Sequence, residues 1–525
     1  MKQILIYLLA ISYPAAVWAG TNGTSSDLSE LKEQLRQANE AFERAMQQHQ
    51  AAVTAIQQRI QALEGSGGAS HPPAVAEAAL SPATAPVPPP SQPKPWSPAD
   101  PIRVGGAQAY MDLGLVGTFA AGGSTASDIE GGTELGGHDP NQRGFTVQGV
   151  EATFTGAVDP YFRGLATLNF SVDAEGESFF EMEEGWMETV SLPANLKLRG
   201  GQIYSEFGRH NPAHLHTWDF VDTPLVNGRF LGPDGLRNPG AHLAWLVPAP
   251  FYTELIFGVQ NSQGATAASF RGGGGHTHGG EDDELPLAYR HADNDRGVAT
   301  FSDLLLTPRL VSSFELSDEI TLLLGASAAF GPNDIGAEGG GDTRTEIYGA
   351  DLTFKWKPVD HHGGFPFVKW QTEGLWRRTG VGAFDWSAEG TKNDPGVLLD
   401  PATGDDPAVL DRETLSDYGF YTQLVYGFRK GWTTGLRFDW LDRQTGEYEE
   451  RGLLVADGSG SGTPAGNDLL RNARWRISPN LTWYPTEFSK VRLQYNYDDR
   501  RDVGIDHSVW LQFEFILGAH AAHKF

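Results

Sequence analysis

From Gln108 to the end of the chain, apolar side chains return at every second position. Between Thr345 and Trp356, for example, Tyr348, Ala350, Leu352, Phe354 and Trp356 are apolar, while Thr345, Gly349, Asp351, Thr353 and Lys355 are small or polar. A period of two belongs to the extended strand, whose successive side chains point to opposite faces. The same dyad runs through Thr433 to Leu441, Ala473 to Trp483 and Lys490 to Asp498. Short turn signals, such as Pro193-Ala194-Asn195, Ser317-Asp318-Glu319 and Lys430-Gly431, alternate with long Gly- and Asp-rich stretches such as Tyr204 to Pro239 and Arg378 to Ser416. Counted along the chain, the connections predict about sixteen strands with both ends on the short-turn side, the layout of a transmembrane barrel.

A sandwich would alternate too, but strictly exchanged short and long connections favour closure. In lipid every backbone N–H and C=O needs an internal partner, and a closed cylinder supplies one without leaving an edge strand. A barrel of about sixteen strands encloses water rather than a packed core, so its inward face can stay polar. The predicted fold is therefore an all-β, transmembrane antiparallel β-barrel over residues 107–525. Trp and Tyr near strand ends, among them Tyr252, Trp356, Trp370, Trp440 and Trp483, fit interfacial girdles. A terminal Phe525 after an alternating last strand resembles the assembly signal of bacterial outer-membrane proteins.

The preceding residues follow other rhythms. Residues 1–19, with Lys2, an apolar run and small residues before Gly20, read as a secretory signal peptide. Residues 20–64 place Leu28, Leu35, Phe42, Ile56 and Leu63 in one seven-residue register and Leu31, Ala38, Ala45 and Ala52 in another, predicting a periplasmic α-helical coiled coil. Residues 65–106 are rich in Pro, Ala and Gly and read as an extended linker.

Composition narrows the function. With no cysteine among 525 residues, disulfide scaffolds and thiol chemistry are excluded. A formal net charge of -27 disfavours nucleic acid as a partner, because phosphate binding is driven by Lys and Arg. Of 39 basic and 66 acidic side chains, seven and eight precede residue 107, leaving 32 and 58 to the barrel. No nucleophile elbow, HExxH or phosphate loop is present, so the reading is not that of an enzyme.

Candidate chemistry lies in two loops and on the wall. The third long loop, 204–239, carries Phe207, Trp218, Phe220 and Phe230, too apolar a set to sit in water, and is expected to fold into the lumen. Its Arg209, His210, His214, His216, Asp219, Asp222 and Arg229 form the expected pore constriction, screening solutes by size and charge. Arg163, Lys197, Arg199, Lys355, Lys369, Arg437, Arg474, Arg476 and Arg492 are the expected basic pore wall. In the fourth loop, His276, His278, Glu281, Asp282 and Asp283 offer imidazole and carboxylate ligands suited to zinc.

The stretch 200–248 and the barrel around it resemble bacterial outer-membrane porins, whose third loop bends inward, and in particular phosphate-selective porins of the O and P type. They are also similar to proteobacterial barrels commonly named zinc-regulated TonB-dependent outer-membrane receptors. The resemblance implies a passive diffusion channel in the outer membrane of a Gram-negative bacterium, embedded in lipid, passing small solutes or ions. With an N-terminal coiled coil it further implies a homotrimer whose helices project into the periplasm. No cofactor is required on this reading. The alternative is a metal-associated uptake receptor whose loops hold zinc.

Overall fold

The computed structural model describes residues 102–518, apart from 107–108, 158, 175, 273–286, 293–296, 337–342 and 467–470. The expected signal peptide and coiled coil, nearly all of the linker, and the fourth-loop ligands His276, His278, Glu281, Asp282 and Asp283 lie outside the described residues.

Sixteen long strands follow one another in antiparallel order: β1 (Tyr110–Ser124), β2 (Gly144–Ala157), β3 (Phe162–Val172), β4 (Ser178–Thr189), β5 (Leu196–Tyr204), β6 (Arg237–Leu246), β7 (Tyr252–Asn261) and β8 (Leu304–Ser317) make the first half. The second half is β9 (Ile320–Pro332), β10 (Arg344–Trp356), β11 (Phe367–Val381), β12 (Glu413–Arg429), β13 (Trp432–Leu441), β14 (Arg474–Thr486), β15 (Ser489–Arg500) and β16 (Gly504–Gly518). β1 pairs with β16 from Gly114 opposite Gly518 to Ser124 opposite Ser508, which closes the cylinder. Ile102–Gly105, assigned to the linker by composition, forms a short strand on the lower end of β1, so the wall begins before residue 107.

The two faces of the wall invert the usual rule for a soluble protein. In β14, Thr482 is 1% exposed while its neighbours Leu481 and Trp483 are each 43% exposed. Along β15, Lys490, Arg492, Gln494, Asn496 and Asp498 are buried inside, whereas Leu493 and Tyr495 face outward. Leu424, Leu436, Phe420, Trp370 and Phe513 extend the outer belt, an apolar surface far larger than water tolerates on a monomer and suited to lipid. The outer face is greasy because it meets lipid, and the inner face is polar because loops and water meet it.

Inside, the loop-side half of the lumen holds a dry cluster. The helix α1 (Leu225–Leu231), within the third loop, buries Leu225, Val226, Phe230 and Leu231 against inward residues Leu305, Ile347, Leu375, Tyr421 and Leu441 of the wall. Seven residues make a helix too short to stand alone, so this apolar contact is what holds it. A second apolar cluster, including Trp386, Leu398, Leu399, Leu410 and Tyr448, ties the sixth and seventh loops together.

Candidate functional site

The third loop (residues 205–236) leaves β5 and turns at once into the cylinder. Gly208 adopts φ +60°, and a Cβ there would lie 2.2 Å from an oxygen of Glu373 on β11. Only glycine lets the backbone come so close. The next two amides, of Arg209 and His210, donate to the same carboxylate at 2.8 and 2.7 Å. From this anchor the loop swings across to β4 and β2, where His214 Nδ1 meets Glu183 at 2.8 Å, His214 Nε2 meets Glu184 at 2.9 Å and His216 Nδ1 meets Glu151 at 2.7 Å.

The loop then runs along β14 and β15. Arg492 donates to the carbonyls of Trp218 and Phe220, Asn480 to that of Asp219, and Gln494 accepts from the amide of Val221. Asp222 sits at the centre of this stretch, fully buried, 2.7 Å from both Arg437 and Arg476. Burial would raise the pKa of Asp222, but the charges of Arg437 and Arg476 and the hydrogen bond from Gln494 outweigh it and hold the carboxyl at about 2. The first loop (residues 125–143) folds inward as well: Arg476 also reaches Glu134, Arg474 donates to the carbonyl of Gly132, and Asp139 accepts from the amide of Thr223.

Below this crossing, on the short-turn side, lies a cavity of about 770 Å³. The structure brings Arg209, His210, His214, His216, Asp219 and Asp222 to its lining. Arg229 is not among them: it lies on α1 and donates to the carbonyls of Asp442 and Asn472 in the seventh loop, on the far side of the crossing. Spacing placed it in the constriction, but the helix turns it the other way, where burial lowers its pKa to about 9.

The basic wall divides in two. Lys197, Arg199, Lys355, Lys369 and Arg437 line the cavity. Lys355 and Lys369 stand directly opposite each other on β10 and β11, a like-charge pairing that costs stability, with Lys369 held 2.6 Å from Asp219. Arg474, Arg476 and Arg492, also expected on the pore wall, do not line the cavity. They face inward but are buried and bound to Asp498 and to the first and third loops, so they fasten the loops rather than face the cavity. Arg163 sits at the turn end, paired with Glu188 and half exposed.

A cluster that sequence reasoning missed joins the first and third loops to β2–β4. His138 Nε2 lies 3.2 Å from Glu183, and Asn169 donates to the same Glu183 oxygen at 2.8 Å. Burial lowers the pKa of His138, but the hydrogen bond and charge of Glu183 more than offset this and raise it to about 9. His214 is likewise raised, against the effect of burial, by Glu183 and Glu184. Consecutive glutamates at 183 and 184 both reach the lumen because the register of β3 against β4 slips between Thr167 and Leu168, a bulge that breaks the alternation. A void of about 30 Å³ beside His138, Glu183 and His214 shares residues with the large cavity below and with a cavity of about 180 Å³ near the mouth.

No family model matches the sequence. It is 31% identical over 410 residues to an uncharacterized protein of Aquifex aeolicus (strain VF5), the match covering 74% of this chain and 73% of that one. The chain belongs to that protein's family. Among solved structures, the outer membrane channel DcaP of Acinetobacter baumannii is similar at 10% identity, covering 78% of this chain and 97% of that one, with a TM-score of 0.43. The anion-selective porin of Comamonas acidovorans is similar at 8% identity, covering 78% of this chain and all of that one, with a TM-score of 0.42. OmpF of Salmonella typhi follows at 11% identity, covering 79% of this chain, with a TM-score of 0.40. The assignment of a closed barrel to this family member rests on the pairing of its own strands.

Proposed function

We propose that this chain is an outer-membrane porin: a passive diffusion channel for small charged or polar solutes, narrowed by the inward-folded third loop. The observation that carries the reading is the 770 Å³ cavity, with Lys197, Arg199, Glu254, Lys355 and Lys369 on its wall, inside a closed barrel whose outer face is apolar. A lipid-facing belt fixes the molecule in a bilayer, and a cavity this size admits a small hydrated solute. The third loop, which crosses the lumen above that cavity, then sets the cut-off.

On this reading the short turns face the periplasm, the coiled coil at 20–64 gathers three chains, and Lys355, Lys369 and Arg209 bias the cavity towards anions against the acids Glu184, Glu206 and Glu254. The purified protein, refolded in detergent and added to planar bilayers, is expected to give stepwise conductance in groups of three. Folded protein that leaves the bilayer silent, both as wild type and with the third loop released by Asp222→Ala, would overturn the reading.

A further inference from the structure

The groups packed around His214 are unusual for a lumen that only has to hold a loop. Three imidazoles (His138, His214, His216) and three carboxylates (Glu151, Glu183, Glu184) are drawn together at one level of the barrel. One ligand atom from each of Glu151, Glu183 and His214 lies within 4.8 Å of the other two, a triangle that closes onto an ion about 2 Å from each when the side chains shift slightly and His214 releases its proton to solvent. The rings of His214 and His216 stack 5.9 Å apart, so a second imidazole stands beside the first.

The hydrogen bonds of the cluster leave one oxygen over. Glu151 is 2% exposed; its Oε2 meets His216, but its Oε1 is buried and accepts nothing. A buried carboxylate oxygen without a donor costs free energy, and a cation is the partner that would remove the cost. Glu151 lies directly across from Asn169 on the neighbouring strand, so the wall, not a flexible loop, fixes it. The bulge in β4 does the same for Glu183.

We propose that Glu151, Glu183 and His214 form a binding site for a divalent transition-metal ion, zinc being the best match, between the third loop and the lumen face of β2 and β4. Mixed imidazole and carboxylate donors select a borderline ion over magnesium or calcium, which take oxygen alone. The ion would sit beside the small void that lies between the large cavity and the mouth cavity, where His138, Glu181 and Asp234 make a second group of potential ligands within 4.8 Å of one another. The site goes beyond the channel reading, and metal binding is measured without conduction, so either can fail alone.

The test is equilibrium dialysis of the full chain, refolded in detergent, against Zn²⁺ alone. Wild type and a His276→Ala/His278→Ala variant are expected to bind one ion more tightly than Glu151→Gln and His214→Ala, each weakened at least tenfold, with folding checked by heat-modifiable electrophoretic mobility. Should the lumen variants not fold, the His276→Ala/His278→Ala chain serves alone: its bound Zn²⁺ is expected to show mixed nitrogen and oxygen ligands at about 2.0–2.2 Å by X-ray absorption. Binding that vanishes with the fourth-loop histidines and survives in the lumen variants, or no Zn²⁺ held by the His276→Ala/His278→Ala chain, would overturn the proposal.

Discussion

Asp222 of the third loop and Arg476 of β14, 254 residues apart in the chain, lie 2.7 Å apart with neither reached by solvent. Arg437 and Asn496 close on the same carboxylate at 2.7 and 3.0 Å. Isolated buried charges are costly, but here two guanidiniums and two amides share one carboxylate, so the loop is fixed to the wall by a satisfied network.

Removing that carboxylate leaves Arg437 and Arg476 short of a partner. Asp222→Ala should cost about 3–5 kcal/mol, the usual penalty for breaking a buried pair from one side. The barrel's own ladder is untouched, so the loss is expected in the loop: higher and noisier single-channel conductance, and faster protease cutting between Gly208 and Gly235. Asp222→Asn, which keeps the shape and some hydrogen bonds, should fall between. Conductance and cutting rates equal to wild type in both variants would show that the loop is held elsewhere.

Lys355 and Lys369, opposite each other on adjacent strands, face the cavity, with Asp219 2.6 Å from Lys369. Changing both to Glu replaces two positive charges by two negative ones at a position that the wall holds rigid. Under a KCl gradient the reversal potential should move towards cation preference, with the single changes giving about half the effect. Arg163→Glu, at the half-exposed turn end, should move it little, since its charge lies outside the cavity and is screened over about 10 Å at 0.1 M salt.

The strand count and the exchange of turns and loops were legible because both are local: a strand's period is two, and Gly, Pro, Asn and Asp mark a turn where they stand. Inward folding of the third loop was legible from Phe207 and Phe230, which end in the apolar cluster. What held that loop was not, since Asp222 and Arg437 are 215 residues apart and nothing local pairs them. Glu183 and Glu184 escaped notice for a different reason: strict alternation sends one of two neighbours to lipid, and only the bulge returns both to the lumen. Arg229 looked like Arg209 in type and setting, but α1 aims it at the seventh loop.

His210 carries an acid sensitivity. Burial, reinforced by the charge of Arg437 and only partly opposed by Asp222 and Asp219, lowers its pKa to about 3, below the ordinary histidine value of 6.5. The loop in place therefore holds a neutral imidazole, while a released loop binds a proton below that value. The contribution of His210 to loop docking should be fully present above pH 6.5 and be lost progressively as pH falls towards 3, whereas that of His138 and His214, whose pKa values are raised, is fully present below pH 6.5. Conductance recorded from pH 7 downward should become noisier before the barrel itself unfolds. His210→Gln should shift that onset to lower pH; an unchanged onset would assign it to the carboxylates instead.

The outermost claim, that lipid covers the wall, has its own test in the pair Leu424 and Leu436, which stand opposite each other at mid-strand on β12 and β13, exposed on the outer face. A soluble protein would gain from a charge there. In a bilayer, Leu436→Arg places a guanidinium near the midplane and should cost about 2–4 kcal/mol in folding titrations into phospholipid vesicles. The same change near the rim, at Trp483 on β14, should cost much less, because water and headgroups are within reach of a long side chain. Equal costs at both depths, or a gain at Leu436, would mean that water rather than lipid bathes this face, and the channel would lose its membrane.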